Sequence, residues 1–215
     1  MVRIIGDIGG EDRRRARSRA ALLSAAEGLF AQRGVEGVTI DEIVAAADVA
    51  KGTFYNHFPD KDAIARAIAA AVRSEVEADI TALNKGVTDP ALRTARALCV
   101  YVRFAAREPK RARALTRIFA GAINPGATLN RGVTSDIKRG IAEERFTARN
   151  LDMAILFVMG TVIAASAAAV EGAPARETAE ALAEYQLHGL RLKGREAAAI
   201  AAAAADAVFN PEATK

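Results

Sequence analysis

The chain has 215 residues and a formal net charge of +4, and 51% of its residues are hydrophobic but only 5% are aromatic. Its one cysteine, Cys99, excludes an intrachain disulfide and, between apolar neighbours, is expected in the core rather than as a nucleophile. Abundant alanine with few aromatic residues favours helices over sheets, so we predict an all-α protein. The N-terminal residues lack the regions of a signal peptide, and we therefore expect a cytoplasmic protein.

The N-terminal part begins with a glycine-containing segment, residues 1–12, that has no apolar period and is predicted to be a disordered lead. A first helix is predicted from about Arg14 to Gln32, with Leu22, Ala26 and Leu29 on one face and Gly34 ending it. The arginine cluster 13–19 at its start fits two interpretations equally: an arm that contacts DNA or a solvated helix start.

Residues 39–58 have the pattern of a helix, a tight turn and a second helix. Thr39 and Glu42 form a capping-box pattern, and apolar residues then recur at helical spacing up to Ala47. A turn at 48–50 precedes a short helix from about Lys51 to His57, which Pro59 ends. This arrangement predicts a helix-turn-helix motif, whose second helix enters the major groove of DNA.

The rest of the chain is predicted to be helical. Asp60 caps a connecting helix over about 61–84, and Asp89 with Pro90 begins a helix that runs to about Arg107. Further helices are predicted from Glu108–Pro109 to before Gly121, and over 128–144, 148–171, 175–192 and 195–208. We therefore expect a head at 13–60 and a helical ligand-binding and dimerisation domain at 61–215.

The segment Met153–Val170 carries no charge over 18 residues, the lower limit for a membrane-spanning helix. Its many small residues and its closely flanking acids favour a helix buried between neighbours or at a subunit interface. Gly160, Ala164 and Ala168 form a small-residue stripe that would allow close helix packing, as in a dimer. We expect no membrane association.

The predicted second helix of the motif presents side chains suited to DNA. Gly52 lets the backbone approach the duplex, and Thr53 can bond a phosphate or a base. The charge balance alone is weak support for DNA binding, because residues 13–61 contain eight lysines and arginines and six acidic residues. The register of the motif carries the prediction, since Phe54 and Phe58 face inward and the polar residues face outward.

The sequence VAKGTFYNHFPDKDAI resembles the recognition helix and following turn of the TetR family of bacterial transcriptional regulators. The preceding AEGLFAQRGVEGVTIDEIVAAADV is similar to the first two helices of that family, so the resemblance is dense over about 17–68. The segment RGIAEERFTARNLDMAILFVMG resembles part of the C-terminal domain more weakly. The resemblance implies an all-α homodimer with a helix-turn-helix head, a connecting helix and a C-terminal ligand-binding domain.

Carried over by position, the DNA contacts of the family fall on the predicted second helix and its flanks. They are Lys51, Gly52, Thr53, Tyr55, Asn56 and His57, with phosphate contacts at Thr39 and Lys61. Two positions depart from the family pattern: Ala50, where many members have a serine that can bond phosphate, and Asp48, where glycine is common. Asp48 is tolerable in a turn because aspartate accepts left-handed conformations.

The function implied is a sequence-specific regulator, most simply a ligand-released repressor that binds a palindromic operator as a homodimer. Seven aromatic and methionine side chains of the C-terminal half are each typical of a core position, and as a group they predict a largely apolar effector pocket. They are Tyr101, Phe104, Phe119, Phe146, Met153 and Phe157, with Met159 in addition. No catalytic or metal-binding spacing occurs, so we expect no enzyme activity, no cofactor and no metal. The alternative is a helical small-molecule-binding protein, or a bundle enzyme, whose head no longer binds DNA.

Overall fold

The computed structural model describes residues 8–119 and 131–210 of the chain, and of residues 8, 9 and 117–119 only the backbone. The described residues form ten α-helices and no strand. The helices are α1 (Ile8–Arg33), α2 (Ile40–Ala46), α3 (Lys51–Tyr55), α4 (Lys61–Leu83), α5 (Pro90–Arg107), α6 (Pro109–Phe119), α7 (Arg131–Ala142), α8 (Leu151–Val170), α9 (Ala175–Gly189) and α10 (Gly194–Phe209). The all-α prediction is confirmed.

The N-terminal head has its own core. Leu22 and Phe30 of α1 pack with Ile43 of α2, Phe54 of α3 and Phe58, and all five side chains are buried. Burying a phenylalanine or leucine side chain contributes about 1.5–3 kcal/mol, so these contacts hold α1, α2 and α3 in one arrangement. The predicted inward register of both phenylalanines is confirmed.

Helix α1 begins at Ile8, earlier than the predicted start near Arg14, so the described residues 8–12 of the predicted disordered lead are helical instead. Two glycines at 9 and 10 suggested a break, because glycine is a poor helix former. The arginine-rich run that follows has a high helix propensity, and Glu11 in the first turn interacts favourably with the helix dipole. The helix therefore extends backwards through the glycines. Residues 1–7 lie outside the described part.

The connecting helix α4 contributes to both cores. Ile64 and Ile68 near its beginning belong to the head, whereas Val76 and Ile80 belong to the core of the C-terminal domain. Asp60 caps α4 by accepting a hydrogen bond from the Ala63 amide at 2.6 Å, as predicted. A head limited to residues 13–60 remains a prediction, and the packing shows that its core extends into the first turns of α4.

The C-terminal domain is built around α5, which packs against α7, α8, α9 and α10. Asp89 and Pro90 begin α5 as predicted, and the Asp89 carboxylate accepts a hydrogen bond from the Ala91 amide at 3.0 Å. Helix α9 ends at Gly189, three residues before the predicted end, and Arg191 then adopts a left-handed conformation with φ 75°. Helix α8 begins at Leu151 under the Asn150 cap, three residues after the predicted start.

Helix α8 is the one helix among the described residues that is long and apolar enough to cross a membrane by length and composition. Core helices of soluble proteins meet the same criterion, so it is weak support for a membrane span. One face of α8 packs on the core through Ile155, Val158 and Ala165, and the opposite face is exposed.

Candidate nucleic-acid interface and effector cavity

Helix α2 begins with the predicted capping box. The Glu42 amide donates to the Thr39 hydroxyl at 3.3 Å, and the Glu42 carboxylate accepts hydrogen bonds from the Thr39 amide and hydroxyl, both at 2.8 Å. The Thr39 amide and then Arg33 lower the pKa of Glu42 to about 2, so the carboxylate is charged at neutral pH. Because Arg33 also pairs with Glu42 at 2.7 Å, the end of α1 is fastened to the start of α2.

The turn between α2 and α3 is tight. Asp48 adopts the left-handed conformation, with φ 52°, that was predicted to be tolerable for aspartate. The Val49 amide donates to the Val44 carbonyl at 3.1 Å, which closes the turn. Ala50 is the N-cap of α3 and makes no side-chain capping bond there, in keeping with its departure from the family pattern. Helix α3 ends at Tyr55, so Asn56 and His57 follow it in a turn.

The side chains predicted to contact DNA share the outward surface of α3 and its C-terminal turn. Lys51, Tyr55 and Asn56 are exposed, Thr53 and His57 are half-buried, and Phe54 between them is fully buried. Gly52 is also exposed, and a Cβ at this position would meet nothing within 4 Å. The backbone at Gly52 is therefore accessible from solvent, and a DNA duplex could approach it closely. DNA contact by these residues stays a prediction.

Both predicted phosphate-binding lysines already have partners in the head. The Lys51 ammonium lies 2.7 Å from the Asp41 carboxylate, and its hydrogen bond to Asp41 raises the pKa of Lys51. The Lys61 ammonium donates to the carbonyls of Val38 at 2.9 Å and Glu36 at 3.5 Å, which ties α4 to the turn before α2. A phosphate would therefore exchange with these partners rather than bind a solvated ammonium.

His57 connects α3 to the beginning of α1. Its Nε2 lies 2.8 Å from the Ser18 hydroxyl, and burial, followed by Arg15 and Arg19, lowers the pKa of His57. A cleft at this junction is lined by residues of α1 and of the motif: Gly10, Glu11, Arg14, Arg15, Ser18, Val49, Ala50, Thr53, Asn56 and His57. Arg14 and Arg15 line this cleft beside α3, and both interpretations of the arginine cluster stay predictions.

The C-terminal domain contains a cavity of about 500 Å³ between α4, α5, α6, α7 and α8. Its apolar walls include Ile80, Ala97, Phe104, Ala105, Leu115, Val133, Val158, Met159, Val162 and Ile163. Tyr101 also lines it, so among the predicted pocket residues Tyr101, Phe104 and Met159 lie on the cavity. Its volume is within the range of small-molecule sites, about 300–1,000 Å³.

Three other predicted pocket residues do not line this cavity. Phe146 is buried against Gly140 of α7 and does not line the cavity. Met153 and Phe157 lie on the outward face of α8 and are 56% and 42% exposed. Residue type indicated apolar surface but could not say which face of a helix it occupies. The side chain of Phe119 lies outside the described residues.

Sequence reasoning also missed the polar end of the cavity. Tyr101 donates to the Glu77 carboxylate at 3.3 Å, and Arg93 pairs with the Asp136 carboxylate at 2.7 Å. Burial raises the pKa of Glu77, with a smaller contribution of the same sign from Asp136. These side chains come from α4, α5 and α7, and each of these helices carries several other charged residues, so no sequence signal distinguished them. Within the described residues there is no group of three potential metal ligands.

A helix-turn-helix head on a helical domain that holds a ligand-sized cavity defines the class of small-molecule-responsive transcription regulators. Residues 22–68 match the model for bacterial regulatory proteins of the tetR family, and residues 89–203 match that for tetracyclin repressor-like C-terminal domains. The second match alone covers more than half of the chain. The chain therefore belongs to the tetR family of bacterial regulatory proteins.

Individual relatives agree with this assignment. The HTH-type transcriptional repressor DhaR of Mycobacterium sp. (strain GP1) is 34% identical over 65 residues, which are 30% of this chain and 33% of that repressor. The crystal structure of RolR with resorcinol is similar over 88% of this chain and 95% of that one, with 29% identity and a TM-score of 0.58. A γ-butyrolactone receptor structure (ArpA-like protein) shares the fold over 90% of this chain and 99% of its own, with a TM-score of 0.63 at 20% identity.

Proposed function

We propose that the chain is a dimeric repressor that binds a palindromic operator and releases it when a small molecule enters the cavity. The DNA-binding part of the proposal rests on one observation: α3 buries Phe54 in the core of the head and exposes its polar side chains to solvent. The likeness to DhaR, named a transcriptional repressor, supports repression. The protein then acts by binding rather than catalysis, in the cytoplasm where bacterial operators lie.

A homodimer is proposed from the outward faces of α8 and α9. Met153, Phe157, Gly160 and Ala164 form an exposed stripe along α8, and Tyr185 of α9 is 66% exposed. A Cβ at Gly160 would meet nothing within 4 Å, so a partner helix can approach closely there. Large exposed apolar patches mark interaction surfaces, and a symmetric dimer would bury this one. Its two heads would then read half-sites about 34–36 Å apart.

The effector is proposed to be a small organic molecule with a largely apolar body. The cavity walls are mainly aliphatic and aromatic, which favours such a ligand. RolR was solved with resorcinol, and resorcinol is a molecule of this kind. Binding would weaken the DNA complex only as far as the effector prefers the DNA-free arrangement of the heads.

Lys51→Ala tests the DNA-binding part, with Lys138→Ala as the matched control. Both lysines are exposed, but Lys138 lies on α7, remote from the motif along the chain. Lys51→Ala should weaken binding to all duplexes and reduce the slope of log affinity against log salt by about 1, because one phosphate contact is lost. Tyr55→Ala should instead lower the affinity for the selected operator more than for random duplex.

The operator is first selected from genomic fragments with the purified full-length protein, and affinities are then measured by fluorescence anisotropy at several salt concentrations. The proposal is refuted if no palindromic sequence is enriched, or if Lys51→Ala and Lys138→Ala reduce binding equally. Turnover of a small molecule without protection of any DNA would favour the alternative, a bundle protein whose head has lost DNA binding.

A further inference from the structure

The carboxylates and arginines at the polar end of the cavity are paired with one another, and the exposed Lys85 also lines the cavity. Asp136, with 9% of its surface exposed, is paired with the Arg93 Nε at 2.7 Å, and another Arg93 nitrogen donates to the carbonyls of Asn84 and Val87. Glu77 accepts from Tyr101 and lies 3.9 Å from the Arg73 guanidinium. An anionic ligand would therefore meet two carboxylates whose arginines are already engaged.

The same end of the cavity is rich in hydrogen-bond acceptors. Asn84, only 3% exposed, donates through Nδ2 to the Arg93 carbonyl at 3.4 Å, which fixes the orientation of its amide. The Asn84 Oδ1 is buried and accepts no hydrogen bond. An unmatched buried acceptor destabilises by about 1–3 kcal/mol, so a ligand that supplies a donor there gains affinity. The second oxygens of the Glu77 and Asp136 carboxylates are further acceptors.

We propose that the effector is an uncharged molecule whose apolar body carries one or more hydroxyl donors, and that these hydroxyls bind Asn84, Glu77 and Asp136. The apolar body occupies the opposite part of the cavity, against Phe104 and Leu115. A carboxylate is disfavoured by repulsion from Glu77 and Asp136, and an ether or lactone by its lack of a donor. This inference rests on the proposed function, because it names the ligand class of the same cavity.

Matched compounds test the class, since they differ only in the group that reaches the polar end. The probes are 4-pentylphenol, 4-pentylanisole and 4-pentylbenzoate, added to the full-length protein and measured by calorimetry and by thermal shift. The phenol should bind about 10-fold more tightly than its methyl ether, the ratio expected for a hydrogen bond to a charged acceptor, and more tightly than the benzoate. Equal or tighter binding of the ether or benzoate, or no binding of the phenol, overturns the inference.

Glu77→Gln tests the residue assignment, because the amide keeps the shape and removes the charge. The substitution should lower the affinity for the phenol and raise that for the benzoate, so their ratio falls at least about 10-fold. Glu75→Gln is the control, since this exposed carboxylate on the same helix pairs with Arg111 and does not line the cavity. An unchanged ratio in Glu77→Gln, or an equal fall in both variants, overturns the assignment.

Operator binding without any compound separates this inference from the proposed function. If the wild type and Glu77→Gln bind the operator equally and the phenol shows no preference, the effector class is wrong and the regulator stands. If no operator is bound in the absence of compounds, the proposed function itself fails.

Discussion

Arg111 of α6 is predicted to hold the head against the C-terminal domain. Its guanidinium binds the Glu75 carboxylate of α4 through two nitrogens, at 2.8 and 3.0 Å, and its Nε lies 3.2 Å from the Glu27 carboxylate of α1. The same group lies 5.8 Å from the centre of the Phe104 ring, which lines the cavity. One side chain thus contacts the head, the connecting helix and the cavity wall.

The expected effect of Arg111→Gln follows from how exposed its partners are. The Glu75 side chain is 58% exposed, so this pair contributes only about 0.5 kcal/mol after solvent screening. Glu27 is 25% exposed and Arg111 29%, so their less exposed ion pair contributes about 1 kcal/mol. A total near 1.5 kcal/mol corresponds to a fall of about 3–6 °C in the melting temperature of a chain of this size.

Arg113→Gln is the matched control, because Arg113 lies on the same helix and pairs with Glu171 at the end of α8, at 3.1 Å with 38% and 75% exposure. Its loss should lower the melting temperature by less than about 2 °C. Both variants are measured by calorimetry at one protein concentration, with hydrogen exchange of the α1 amides as a second readout. The reasoning is refuted if the two variants melt together, or if Arg111→Gln leaves α1 exchange unchanged.

Two further predictions concern the stability of each core. Gly140→Ala should destabilise the chain by about 1–3 kcal/mol in urea unfolding, because a Cβ there overlaps the buried Phe146 ring; Gly28→Ala, where a Cβ meets nothing within 4 Å, should be neutral or stabilising. His57 has its pKa lowered below 6.5 by burial and by Arg15 and Arg19, so the unfolded chain binds its proton more readily. Its contribution to stability is therefore complete above pH 6.5 and is lost as the pH falls through the folded-state pKa. Unfolding of wild type and His57→Gln between about pH 5 and 8 should give a difference curve of this sign, and a flat or inverted curve would contradict it.

The head was largely predictable from the sequence, because its signals are local. The Thr39–Glu42 capping box and the Asp60 cap mark the starts of α2 and α4 through backbone chemistry that involves neighbouring residues only, whereas α3 ends at Tyr55, two residues before its predicted end. The i, i+4 spacing of Phe54 and Phe58 also fixes their common face. The start of α1 was mispredicted where two local signals conflict, the glycines at 9 and 10 against the helix-favouring arginines that follow.

The effector cavity was only partly predictable, because tertiary packing decides which face of each helix it uses. Tyr101 and Met153 are both large side chains in predicted helices, yet Tyr101 lines the cavity and Met153 lies on the exposed face of α8. The polar end joins residues far apart in sequence, such as Glu77 and Asp136, and no local pattern relates them. The buried orphan acceptor on Asn84 becomes visible only once its neighbours are in place.

Lys51 and Lys61 both bind other groups of the head, and this affects how tightly the head could bind DNA. Lys51 is paired with Asp41 and Lys61 donates to two carbonyls, so a phosphate bound at either lysine would replace an existing interaction. Non-specific affinity, which depends on phosphate neutralisation, gains less from such lysines than their number implies. In the proposed dimer, operator affinity would then depend more on base contacts made by α3 and on both heads engaging at once. If the proposed dimer forms, a small change in head spacing would release it from the operator, because one engaged head alone binds weakly.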